Sequence, residues 1–154
     1  WDVKKFSLIA LHLIKKYKHD IVLCGGPNDL EELRLFRNNF KGEFVDLVGK
    51  TSLIELLQIM KKGNILISND TVAPHLAMAI KMKNIFVVNN GNNLGRFWPY
   101  PITNNNNLNV IYPPEIEDKY SDFSNLCNKY RFGSNLQINA ISEDTVIDKI
   151  DLTL

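Results

Sequence analysis

The sequence predicts an α/β fold, a Rossmann-like parallel sheet with helices on both faces, on three observations. Short apolar runs of strand length alternate with segments whose apolar residues recur every three or four positions. The joints between them are short and rich in Gly, Asn and Ser, which favours parallel strands joined by helical crossovers. The chain has 154 residues, 45% hydrophobic and 23% charged, which suits one soluble domain able to bury a core without disulfide or metal staples.

Each element has its own signal. Residues 2–17 carry Phe6, Ile9, Leu13 and Tyr17 at helical spacing, and Lys15, Lys16 and Lys18 crowd the end, where cations suit the helix dipole. Ile21-Val22-Leu23-Cys24, closed by Gly25-Gly26-Pro27, reads as a strand buried on both faces, with Cys24 a buried small hydrophobe. Asn28 or Asp29 can cap the next helix, whose expected buried face is Leu30, Leu33, Phe36 and Phe40. A second short strand is expected at 43–47. Ser52 and Glu55 then form a capping box ahead of Leu53, Leu56, Leu57 and Met60, and Gly63 ends that helix.

A third strand is read at 64–68, a helix from about 71 to 82, and a fourth strand at 84–88. Beyond Val88 the texture changes to Asn, Gly and Pro, so residues 89–154 are expected to form a loop-rich tail packing on the domain. Within it, 108–111 can form a short strand, 117–130 reads as a helix, and Ser142 caps a last helix over 142–150.

Bulk properties exclude several classes. A net charge of +1 gives no global field for nucleic acid, and leaves at most a peripheral membrane contact through a local patch. No apolar run approaches the roughly 18 residues that span a bilayer. Two isolated cysteines suit a reducing, cytoplasmic setting and give no disulfide framework. There is no HExxH pair and no nucleophile elbow, and Asp29-Leu30-Glu31 reads as helix capping, so no metal site is expected. The chain begins with Trp1, almost inside a helix, and is expected to be a piece of something longer.

In an open parallel sheet, ligands bind beyond the carboxyl ends of the strands. Four loops follow four consecutive strands and are expected on one rim: Gly25-Gly26-Pro27, Gly49 to Ser52, Ser68 to His75, and Asn89 to Phe97. In Ser68-Asn69-Asp70-Thr71-Val72-Ala73-Pro74-His75 a strand ends and a helix starts, exposing backbone N–H groups suited to a diphosphate. Pro74 is tolerated in the first turn, and Thr71 and His75 share a face. The plain alternative makes Asp70 an N-cap and His75 a core histidine. Gly25-Gly26 gives permissive backbone near which a nucleoside could lie, but lacks GxGxxG spacing. Gly49-Lys50-Thr51-Ser52 resembles only the end of a P-loop. In the loop that follows Asn89, Gly91, Asn92 and Gly95 allow close approach of a sugar or phosphate, Arg96 offers a planar fork, and Phe97, Trp98 and Tyr100 cluster beside it. The alternative is a loop whose aromatics close onto the sheet edge.

Taken together these segments resemble glycosyltransferase family 9, the heptosyltransferases. The resemblance rests on Leu23-Cys24-Gly25-Gly26-Pro27, on Val48-Gly49-Lys50-Thr51-Ser52-Leu53-Ile54-Glu55-Leu56, on Ser68 through Ala77, and on Trp1 through Ala10. It implies the C-terminal half of a GT-B glycosyltransferase: residues 1–154 as a single nucleotide-sugar-binding domain whose N-terminal acceptor-binding partner lies elsewhere in the full-length chain. It further implies inverting, metal-independent transfer from a nucleotide-diphosphate sugar, such as ADP-heptose, to a lipopolysaccharide or other cell-surface glycan. The setting would be the cytoplasm or the inner face of its membrane. By the same resemblance Asp70, Thr71, Val72 and His75 would hold the diphosphate, while Gly25, Gly26, Pro27, Gly49, Lys50, Thr51, Ser52 and Leu53 would flank the nucleoside.

The general base is expected in the absent half, so no catalytic residue is assigned, and this piece alone is expected to be inactive. Two departures stand out. Val72 replaces a usual Gly, and the 91–101 segment is longer than the family's and carries Arg96. Two other readings remain: a non-catalytic Rossmann-like nucleotide-binding or interaction module, and half of a GT-B-like nucleotide-sugar epimerase.

Overall fold

The computed structural model describes residues 1–100 and 107–154 of the chain. They form two compact units, Trp1–Lys62 and Gly63–Leu154.

In the first unit, α1 (Val3–His12) starts at Asp2, whose carboxylate accepts the Lys4 N–H at 2.8 Å. It runs into a π-helical turn, Leu13–Tyr17, that ends at Lys18 in the left-handed region. Strand β1 (Val22–Leu23) pairs in parallel with β2 (Val45–Asp46), Val22 opposite Val45. Between them lies α2 (Leu30–Asn39), and α3 (Leu53–Lys62) closes the unit. The core joins Ala10, Phe36 and Phe40 to Ile21, Leu23 and Phe44, with the Phe36 ring 5.0 Å from Phe40 and 5.3 Å from Phe44.

Two sequence expectations are corrected here. Strand β1 is not buried on both faces: Ile21 and Leu23 turn into the aromatic core, and the alternate residues Val22 and Cys24 are exposed. Leu30 does not belong to the buried face of α2; it opens the first turn, ahead of the Phe36 and Phe40 anchors, and stays 56% exposed.

In the second unit, β3 (Ile65–Asn69), β4 (Asn84–Val88) and β5 (Asn107–Ile111) form a parallel sheet in that order. Strand β4 is central and buried along its whole length, as a double-covered parallel strand should be. The register sets Asn69 beside Val88 and Val88 beside Ile111, so all three strands end level. Helix α4 (Val72–Ala79) links β3 to β4. The strands pair as a two-stranded sheet in the first unit and a three-stranded sheet in the second.

The tail is more ordered than its composition suggests. It supplies β5, α5 (Pro114–Glu117), α6 (Phe123–Tyr130) and α7 (Glu143–Thr153). Tyr112, Ile116, Leu126 and Tyr130 form a buried cluster with Leu94, and Val146 and Ile150 of α7 are fully buried. The single helix expected at 117–130 is broken, because Lys119 leaves helical geometry and a 3-10 turn, Tyr120–Asp122, intervenes. Residues 101–106, part of the expected loop, lie outside the described residues.

Candidate functional site

Level strand ends place Asp70, Asn89 and Tyr112, the residues that follow β3, β4 and β5, along one edge of the second sheet. Thr71, not Asp70, is the N-cap of α4: its hydroxyl accepts the Ala73 N–H at 3.4 Å and lies 3.4 Å from the Ser68 hydroxyl. Val72 takes the first helical position and is 57% exposed. Asp70 is released from capping for another task. One carboxylate oxygen accepts the Trp98 indole N–H at 2.7 Å, and the other accepts the Asn89 amide at 3.0 Å.

Trp98 and Asn89 are both fully buried, so these bonds satisfy donors that no solvent reaches. His75, one turn into α4, lies flat on Trp98 with ring centroids 4.9 Å apart and planes 27° apart. Its Nδ1 is 2.9 Å from the Tyr100 hydroxyl, and its Nε2 is 3.7 Å from Asp70. The α4 N-terminus, where a helix offers backbone N–H groups to an anion, is thus walled by an aromatic stack tied to Asp70.

The remaining loop residues have packing partners. Gly91 is buried at φ +94, donates its N–H to the Asn89 side chain at 2.6 Å, and faces Ile116 so closely that a Cβ would collide. The Asn92 side chain accepts the Ser134 N–H at 2.6 Å. Gly95, at φ +74, faces Cys127 in the same manner and donates to the Trp98 carbonyl at 2.7 Å. These glycines admit neighbouring elements of their own unit. Arg96 is exposed, its guanidinium 5.4 Å from the Phe97 ring centre and 5.3 Å from that of Phe132.

The first unit gathers its own loops. The Gly49 N–H donates to the Gly25 carbonyl at 2.9 Å, joining the turns that follow β1 and β2. Gly49 sits at φ +69 with its α-carbon facing Pro27. Asp29 caps the Gly25-Gly26-Pro27 turn by accepting the Gly26 N–H at 2.7 Å. Lys50 is held by Asp46 at 2.6 Å, and Arg37 reaches the same oxygen at 2.9 Å. The Lys50 hydrogen bond, helped by the Val48 N–H and by Arg37, keeps the Asp46 carboxyl below its ordinary range against the opposing effect of desolvation. Ser52 and Glu55 form the expected capping box: the Glu55 carboxylate accepts the Ser52 N–H at 2.8 Å and hydroxyl at 2.7 Å. Thr51 is half-buried between Lys50 and that box, and Leu53 is 54% exposed.

Sequence reasoning set Trp98 and Tyr100 beside Arg96 or closing onto the sheet edge, and did not find them or Asn89 as partners of Asp70 and His75. A signal was present: a tryptophan in an Asn- and Gly-rich loop must bury its ring, and its indole then needs an acceptor. Among the described residues no group of three or more His, Cys, Asp or Glu is placed to hold a metal ion, and no helix is long and apolar enough to cross a membrane.

Residues 1–125 match the family described as glycosyltransferase family 9 (heptosyltransferase). Among solved structures, the glycosyl transferase family 9 protein from Veillonella parvula DSM 2008 superposes with a TM-score of 0.76 at 20% sequence identity, a likeness of fold. The superposition covers 99% of this chain and 41% of that one, so the chain spans well under half the length of its structural relative. No curated protein matches the sequence.

Proposed function

Because the chain belongs to glycosyltransferase family 9, we propose that it is the donor-binding part of an inverting, metal-independent glycosyltransferase. The donor is a nucleotide-diphosphate sugar, with a heptose-like sugar and a lipopolysaccharide or other cell-surface glycan as acceptor. One observation carries the reading. The Ser68-to-His75 segment leaves the carboxyl end of β3 and opens α4 next to a fixed carboxylate and an aromatic wall. Backbone N–H groups at such a helix start suit a diphosphate, and the Asp70 carboxylate can accept from sugar hydroxyls along its exposed edge.

Within the first unit, the Gly25–Pro27 and Gly49–Leu53 loops, drawn together by the Gly49–Gly25 hydrogen bond, offer permissive backbone to a nucleoside. The general base comes from the remainder of the full-length chain, so these residues bind and orient the donor and are inactive alone. The setting of the enzyme is the cytoplasm or the inner face of the cytoplasmic membrane.

A second reading, a non-catalytic nucleotide-binding module, is favoured by one observation: Val72 places a branched side chain at the first position of α4. Thermal shift and calorimetry with ADP, UDP, GDP and CMP decide between the two. Free ligand at 100 times its dissociation constant adds about 2.7 kcal/mol of stability. Selective stabilisation by one nucleoside diphosphate, with tighter binding of its sugar conjugate, supports the donor site. Equal response to the free nucleotide and its sugar conjugate supports the module. No response to any of them at millimolar concentration refutes both.

A further inference from the structure

We propose that Trp98 and Tyr100 are positioning residues: they lock Asp70 and His75 into one hydrogen-bonded arrangement in which neutral His75 carries its proton on Nε2. The inference deepens the donor-site reading and rests on it for its functional consequence.

The indole of Trp98 can only donate, its side chain is fully buried, and Asp70 accepts its N–H at 2.7 Å. The second carboxylate oxygen takes the Asn89 amide at 3.0 Å, so the carboxylate is gripped at both ends and cannot turn. The carboxylate oxygen that Trp98 holds lies 3.7 Å from Nε2 of His75. That separation is too long for a hydrogen bond, yet close enough for the negative oxygen to favour an N–H over a lone pair. At the opposite corner of the ring, the Tyr100 hydroxyl is 2.9 Å from Nδ1. A neutral imidazole has one donor and one acceptor nitrogen. Asp70 can only accept, so the consistent assignment has Tyr100 donating to Nδ1 and the proton on Nε2.

Stacking on Trp98 fixes the plane of the ring, and Tyr100 packs edge-on against both rings, at 5.8 Å and 5.2 Å. The sequence Trp98-Pro99-Tyr100 thus grips two site residues that lie five positions apart on another segment. A donor molecule at the start of α4 meets a pre-set N–H of His75, held in place before binding.

Long-range proton–nitrogen NMR on uniformly labelled protein above neutral pH reads the His75 tautomer directly, with a His75→Gln sample assigning the signals. The expected wild-type pattern is a protonated Nε2 and an acceptor Nδ1. Tyr100→Phe keeps the ring packing, removes the hydroxyl, and should bring the two nitrogen shifts toward their average while circular dichroism stays unchanged. Its affinity for the nucleoside diphosphate that stabilises the wild type should fall about fivefold, the equivalent of one neutral hydrogen bond. Trp98→Phe should give the same change in nitrogen shifts. If that variant does not fold, Tyr100→Phe decides alone.

An Nδ1–H tautomer in the wild type, or unchanged nitrogen shifts in Tyr100→Phe, overturns the lock. A changed tautomer with unchanged nucleotide affinity overturns the positioning role. A wild type that shows the lock but binds no nucleoside diphosphate overturns the donor-site reading instead.

Discussion

Replacing Asp70 by Ala separates two physical accounts of the same residue. If Asp70 were only a helix cap, its loss would cost about 1 kcal/mol. In the structure the cap is Thr71, and Asp70 instead accepts from two fully buried donors, the Trp98 indole and the Asn89 amide. Hydrogen bonds to charged groups contribute about 1.5–3 kcal/mol each, and a buried donor stripped of its acceptor bears its desolvation cost in full. Two such bonds give about 3–6 kcal/mol. The Asp70 side chain is 22% exposed, so water can partly replace the lost carboxylate, and the lower half of that range is expected.

Urea unfolding followed by circular dichroism measures the difference. With a slope of about 1.5–2 kcal/mol per molar urea, Asp70→Ala should lower the midpoint by about 2 M. Thr71→Ala, which removes only a long 3.4 Å capping bond, should lower it by about 0.5 M or less. The reasoning is refuted if the two variants shift equally, or if Thr71→Ala is the more damaging.

Two further outcomes test other parts of the structure. Asp46 has its carboxyl held below the ordinary range, chiefly by the Lys50 hydrogen bond. Its folded value lies under its unfolded one, so its stabilising contribution is complete above the ordinary carboxylate range and is lost as pH falls through the depressed value. Acid titration of stability should therefore be shallower for Asp46→Asn than for the wild type, and parallel curves would contradict the assignment. Tyr112 buries a hydroxyl that has no hydrogen-bond partner among the described residues. Tyr112→Phe should leave stability unchanged or raise it by up to about 1 kcal/mol, and a loss above about 2 kcal/mol would reveal a partner for that oxygen.

What the sequence determined by itself were particular local features, two helix caps and the buried central strand among them. The Ser52–Glu55 box and the Ser142 cap are local hydrogen bonds closed by backbone geometry, and both form as read. The apolar run Ile85 to Val88 becomes a strand buried on both faces. The motifs by which the chain resembles a known family likewise are short contiguous segments, those after β1, β2 and β3 among them.

Tertiary structure decided what each turn residue does. Asp70 became the acceptor for an indole 28 positions away because β3 and β4 end level and the loop after β4 folds back over that edge. Gly91 and Gly95 were read as room for a ligand, and the structure fills that room with Ile116 and Cys127. Val22 and Cys24 read as buried because an apolar run carries no mark of whether a second layer covers its other face. Local preference fixes the backbone over one turn of chain. Which side chains then meet depends on strand register and layer packing, and these join residues that no local pattern relates.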